Sequence, residues 1–284
     1  MKKSLIFVFS FILLVPIFIG CKEEDNDTPP IIPPYESIRI AFNNFYIDTD
    51  TLGYLNTKHQ ISDYNTQTNY RFATESVDFW DHLLTVTLII PVRSYYFSFI
   101  HTPTYLGNNK WEWNFNMNSF TSTYTIHLTG ELGTTDIKWE MYIGETGDEG
   151  FPEFKWLEGT SHIDGNSGQW FLYHSYQFQE EVLQIDWTKS GKDIVEKTYT
   201  YIRELNDNRE TEPFNGSYLI YVIQNDYYDG HNSNHFYDTL TTQFVDVDIE
   251  WSTTEYYGHV KAEHKFGDTE WHCWDDFGND TSCN

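Results

Sequence analysis

The feature that most limits the fold is a two-residue alternation of apolar and polar side chains that recurs along the chain after Lys110. Trp111, Trp113, Phe115 and Met117 alternate with Glu112, Asn114 and Asn116. Tyr124, Ile126 and Leu128 alternate with Thr125, His127 and Thr129, and Ile137, Trp139, Met141 and Ile143 with Lys138, Glu140 and Tyr142. Leu183, Ile185 and Trp187 repeat the pattern, as do Val245, Val247, Ile249 and Trp251 against Asp246, Asp248 and Glu250. Period two sends successive side chains to opposite faces of a strand, and one apolar face with one polar face marks an antiparallel sheet. Turn residues punctuate the runs at Gly107-Asn108-Asn109, Asp164-Gly165, Ser190-Gly191, Asp229-Gly230 and Gly278-Asn279. The expected fold class is therefore mainly β (α+β), a long antiparallel meander of about ten to twelve strands. A sheet of that length must curl, close or split, so a curved sheet or open barrel is expected.

Residues 74–90 break the pattern. Val77, Trp80, Leu84 and Leu88 lie at helical spacing, as do Phe79, Leu83, Val86 and Ile90. Apolar residues thus cover most of the surface of a helix, as in one that is buried at the centre of a fold. Thr74 reads as its N-cap, and Pro91 is expected to end or kink it. A strand is the competing reading, since Leu84, Val86, Leu88 and Ile90 also alternate with Thr85, Thr87 and Ile89.

The N-terminus carries targeting information. Lys2 and Lys3 precede an apolar run from Leu5 to Ile19, closed by Gly20 and Cys21. That is the order of a secretory signal. Its roughly fifteen residues reach about 22 Å as a helix, short of a hydrocarbon core near 30 Å. Phe18-Ile19-Gly20-Cys21 resembles the lipobox of bacterial lipoproteins, with Phe18 where leucine is usual. The resemblance implies lipidation of Cys21 and hence a partner, the membrane, held through that anchor. Lys22-Glu23-Glu24-Asp25 looks like the acidic signal that directs Bacteroidota lipoproteins to the cell surface. The run Pro29-Pro30-Ile31-Ile32-Pro33-Pro34 suggests an extended tether, reaching roughly 40 Å. The expected organisation is a signal peptide at 1–20, an acidic and Pro-rich tether at 21–34, and a single β-rich domain at 35–284.

A second resemblance covers most of the mature chain. Trp111-Glu112-Trp113, Trp139-Glu140-Met141-Tyr142-Ile143, Gly168-Gln169-Trp170, and the tail Trp271-His272-Cys273-Trp274-Asp275 with Cys283 look like a group of Bacteroidota lipoproteins of uncharacterised function. It implies a cell-envelope location and a shared fold, and no activity. Together with the acidic signal after Cys21, it makes the outer membrane the expected location, as a lipoprotein exposed at the surface.

Charge excludes some partners. The chain has 43 acidic and 17 basic residues, a net charge of −26, and loses Lys2 and Lys3 with the signal. Nucleic acid needs clustered Lys and Arg to replace its counterions, so it is not an expected partner. With Cys21 assigned to the anchor, Cys273 and Cys283 remain. In an oxidising compartment they are expected to close a disulfide loop. The rivals are two free thiols, and a zinc site drawing on His272 or His264, although the spacing fits no standard zinc set.

Candidate sites come from loops. Asp226, Asp229, His231 and His235 carry carboxylates and imidazoles in one segment and are the candidate metal ligands. Solvated turn chemistry explains the same residues. Asp275, Asp276 and Asp280 form a second acidic loop. Tyr227, Tyr228, Tyr256, Tyr257 and Trp274 are the candidate ligand-binding aromatics, because aromatics on the alternating buried face are needed for the core. No G-x-S-x-G, H-E-x-x-H or P-loop occurs, so no catalytic residue and no cofactor is assigned. The expected function is a membrane-anchored, non-enzymatic binding module for a surface glycan or protein. A lipocalin-like or open-barrel carrier of an apolar small molecule is the first alternative, and a glycan-processing enzyme the second.

Overall fold

A computed structural model of the chain describes residues 28–39, 66–118, 122–147 and 150–283. The expected signal segment, Cys21, the start of the expected tether and residues 40–65 lie outside the described residues. Among the described residues fourteen strands form one antiparallel sheet, each strand pairing with its neighbours in sequence. They are β1 (Thr104–Gly107), β2 (Lys110–Asn118), β3 (Thr123–Leu132), β4 (Asp136–Thr146), β5 (Phe154–His162), β6 (Ser167–Tyr173) and β7 (Glu181–Ser190). There follow β8 (Asp193–Tyr201), β9 (Tyr218–Ile223), β10 (Gly230–Asp238), β11 (Gln243–Trp251), β12 (Gly258–Lys261), β13 (His272–Trp274) and β14 (Asp280–Thr281). The sheet is curved around a central helix and does not close into a barrel. The fold class expected from the alternation is the one observed, with more strands than the pattern alone resolved, because β13 and β14 are too short to show a period.

Register explains how the inner face packs. Trp111, Gly130, Trp139, Gly159 and Trp170 stand opposite one another on β2 to β6, so tryptophan and glycine alternate across the sheet. Each indole from Trp139 and Trp170 lies over the glycine of the preceding strand. A Cβ on Gly159 would meet the Trp170 ring at 2.5 Å, well inside van der Waals contact. The same cross-strand arrangement recurs at Gly168–Trp187, Gly230–Trp251 and Gly258–Trp274. Small and large residues thus interlock along the curve, and the five indoles end at most 2% exposed.

The concave side is occupied by a helical rod. Helix α1 (Thr68–His82) runs into a π-helical segment, Leu83–Thr87, and then α2 (Ile89–Ser98). Trp80, Leu84, Leu88 and Tyr95 of the rod are buried in the same core as the sheet tryptophans. The Trp80 indole N–H donates to Asn234 Oδ1 at 2.9 Å, and the Asn234 amide donates to the Ser76 carbonyl. The helical reading of 74–90 holds, but its ends differ. Thr74 lies inside α1, where its hydroxyl donates to the Arg71 carbonyl at 2.8 Å. The true start at Thr68 has no cap of its own; Asp280 on β14 accepts from the Asn69 N–H at 2.8 Å and from the Thr68 hydroxyl. A carboxylate there also suits the positive end of the helix. Pro91 does not end the helix, because it is the third residue of α2, where a backbone N–H has no helical partner to lose.

The segment read as tether is partly docked. Pro30 and Pro33 are buried. The Tyr95 hydroxyl donates to the Pro33 carbonyl at 2.5 Å, and the Trp170 indole donates to Ser37 Oγ at 3.0 Å. Tyr35–Ser37 forms a short 3-10 helix, and the chain beyond it is held by Lys197 and Tyr199, which donate to the Arg39 carbonyl at 2.8 and 2.9 Å.

Candidate functional site

Period two places His231, Glu250 and His259 side by side on the outer face of β10, β11 and β12. Glu250 bridges them, with Oε2 at 2.8 Å from His259 Nε2 and Oε1 at 3.4 Å from His231 Nδ1. Gln224 Nε2 lies 2.6 Å from the other nitrogen of His231. Aromatic rings from three loops gather over this row. Tyr227 and Tyr228 come from the β9–β10 turn, Tyr257 from just before β12, and Trp271 from just before β13. Ring centroids are 4.9 Å apart for Tyr227–Tyr228, 5.1 Å for Tyr227–Tyr257 and 4.2 Å for Tyr228–His259. His259 stacks on Trp271 at 3.8 Å, and Lys261 Nζ sits 4.8 Å from the centre of the Trp271 ring. The result is an aromatic shelf with a polar floor. Tyr227 is its most open member, at 69% exposure.

Burial under Tyr228 and Trp271 pushes the His259 imidazole down from its ordinary value, against the opposing pull of Glu250. Burial also raises the phenols of Tyr228 and Tyr257, with Tyr227 adding to both, and Tyr257 is pushed up to about 12. Tyr228 and Tyr257 therefore present neutral hydroxyls at neutral pH.

Three of the five candidate aromatics, Tyr227, Tyr228 and Tyr257, are thus brought together. Trp274 is not among them. It points into the core over Gly258, its ring 5.7 Å from Tyr70, and its N–H donates to the Tyr256 carbonyl at 2.8 Å. Tyr256 sits at a turn with φ 67° and joins no ring of the shelf. Alternation along the tail carried this information: Trp274 shares a face with His272, and Trp271 takes the other, so Trp271 is the aromatic that sequence reasoning should have selected.

The four candidate metal ligands do not converge. Asp226 accepts from the Tyr227 N–H, Asp229 accepts from the N–H and hydroxyl of Thr253, His231 meets Glu250, and His235 Nδ1 is 2.7 Å from Asp246. Among the described residues no group of three His, Cys, Asp or Glu side chains is arranged to hold a metal ion. Asp275 caps its own turn by accepting from the N–H groups of Phe277 and Asn279, and Asp280 caps α1. Cys273 and Cys283 are at disulfide distance, with Sγ atoms 2.14 Å apart, while His272 is taken up by Asp268 and by stacking on Phe266.

No protein-family model, curated protein or solved structure matches the chain. Among the described residues no helix is long and apolar enough to cross a membrane.

Proposed function

We propose that the chain is a lipid-anchored cell-envelope protein, non-enzymatic, that recognises carbohydrate through the shelf of Tyr227, Tyr228, Tyr257 and Trp271. The observation that carries this reading is the gathering of four aromatic side chains from separate loops over a polar row on the wet face of the sheet. Core packing does not account for rings placed there. Aromatic faces suit the C–H faces of sugar rings, and rigid Tyr and Trp lose little conformational freedom on binding. Gln224, His231, Glu250 and the tyrosine hydroxyls supply hydrogen-bond donors and acceptors around the rim. The rod filling the concave side supports recognition on the outside of the sheet over carriage of an apolar molecule within it.

The test is titration of the full chain with neutral oligosaccharides, read by tryptophan fluorescence. Saturable binding is expected, with Tyr227→Ala and Tyr257→Ala each weakening it about tenfold, the order lost when one stacking contact worth about 1.4 kcal/mol is removed. Binding that survives both substitutions unchanged would remove the shelf as the site. For the anchor, intact mass of the membrane-extracted protein is expected to show acyl chains on Cys21, lost in Cys21→Ser.

A further inference from the structure

The free side of the rod's second half is apolar, whereas its first half, α1, exposes Glu75 and Asp78. Ile89 and Tyr96 lie seven residues, about two turns, apart on α2, with Val86 in the π-helical segment before it and Ile100 in the turn after it. Val86, Ile89, Tyr96 and Ile100 are 52%, 37%, 51% and 71% exposed and form an apolar stripe. Phe99 beside them is 42% exposed, and the only charged side chain on the stripe is Arg93. The stripe is also free of acid. No Asp or Glu occurs from His82 to Trp111, thirty consecutive positions in a chain with 43 acidic residues. In so acidic a protein, an exposed surface spared of negative charge calls for an occupant that disfavours it.

The position of the chain's entry says what that occupant is. The docked N-terminal segment runs beside the rod: the Tyr35 and Tyr96 rings are 5.1 Å apart, and Tyr95 holds the Pro33 carbonyl. Ile31 on this segment is 86% exposed and adds to the apolar surface. Cys21 lies seven residues before Thr28, so the intervening chain reaches at most about 25 Å. A lipidated Cys21 therefore keeps this side of the domain close to the bilayer.

We infer that the stripe Val86–Ile89–Tyr96–Ile100, with Phe99 and Arg93, docks on the membrane surface next to the anchor. Isoleucine and phenylalanine enter the acyl boundary, Tyr96 sits at headgroup level, and Arg93 meets lipid phosphate. Many acidic residues elsewhere would be repelled by an anionic surface, which fixes the orientation. The aromatic shelf lies on the opposite face of the sheet from the rod and is left facing the medium. The inference rests on lipidation of Cys21, and its test separates the two.

The full chain is reconstituted in phosphatidylethanolamine and phosphatidylglycerol vesicles containing a diazirine-bearing phospholipid, irradiated, digested and mapped by mass spectrometry. Intact mass first reports whether Cys21 carries lipid. Lipid adducts concentrated in residues 86–100, and reduced at least tenfold in an Ile89→Glu/Ile100→Glu variant, are expected. Adducts spread over the domain, or absent from 86–100, overturn the docking surface while a lipidated mass leaves the anchor standing. If Cys21 is unmodified the anchor fails, and adducts at 86–100 on the unanchored chain then decide the stripe alone. Retention of the near-ultraviolet circular dichroism spectrum shows that the double variant is folded. A vesicle-independent dimer that covers the stripe, seen by light scattering, also overturns the inference.

Discussion

Lys197 is a basic side chain in an apolar interior. It lies on the concave face of β8, opposite Trp187 and Tyr221 in the register, and is 2% exposed. Its ammonium donates to the carbonyls of Arg39 and Glu36 at 2.8 and 3.3 Å and lies over the Tyr221 ring at 5.1 Å. Among the described residues none places a carboxylate in salt-bridge contact with it. Burial pulls it down to about 7, with the nearby Arg39 charge acting in the same direction. The unfolded chain returns it to the ordinary lysine range. Between those two values the unfolded state holds a proton that the folded state has shed, so folding becomes more favourable as pH rises. Below about 7 both states are protonated and the full penalty remains. Urea unfolding of the wild type and of Lys197→Met at about pH 6.5 and about pH 9.5 is expected to show the wild type gaining on the variant by a few kcal/mol, since each shifted unit is worth about 1.4 kcal/mol. A gap independent of pH would mean that the ammonium is hydrated in the folded protein. The slope, not the stability at one pH, is the readout, because the substitution also removes two hydrogen bonds to the docked N-terminal segment.

At the scale of elements, the sheet's C-terminal edge depends on covalent help. β14 has two residues and pairs with β13 only at Cys273–Thr281 and Trp274–Asp280. Asp280 in turn caps α1, so the disulfide between Cys273 and Cys283 holds the residue that starts the central helix. Closing a loop of this length stabilises by about 2.7 kcal/mol in the chain-entropy model. Replacing both cysteines by serine is expected to lower stability by roughly 2–4 kcal/mol. It should also speed hydrogen exchange at the first turn of α1 before the middle of the sheet responds; equal exchange at α1 in both proteins would break the link. The sequence showed the long strands and the buried helix because period two and helical spacing are local properties. It could not show the cap, since Asn69 and Asp280 are 211 positions apart. Nor could it show the Trp–Gly interlock, which exists only once register sets Gly159 against Trp170. The shelf was legible in part: Tyr227, Tyr228 and Tyr257 stood out as loop aromatics, while His259 and Trp271 did not, because only pairing of β11, β12 and β13 brings them beside those rings.

Across the whole molecule, charge and topology act together. Every strand pairs with its sequence neighbours, so the sheet assembles from local hairpins and asks for little loop closure. Against this works a net charge of −26, spread along the same chain. Self-repulsion among unpaired carboxylates disfavours the compact state. Counterions shorten its range from about 30 Å at 0.01 M salt to about 10 Å at 0.1 M. At neutral pH the urea midpoint of the domain is therefore expected to rise with sodium chloride over this range and then to flatten. Near pH 4.5, where the sequence is close to electrically neutral, the same salt series should change the midpoint little. A salt effect of equal size at both pH values would assign the stabilisation to solvent exclusion in place of charge screening. The distinction bears on the proposed orientation. Repulsion strong enough to be seen in folding also acts between the acidic outer surface and an anionic bilayer, leaving the acid-free stripe of the rod as the side the membrane accepts.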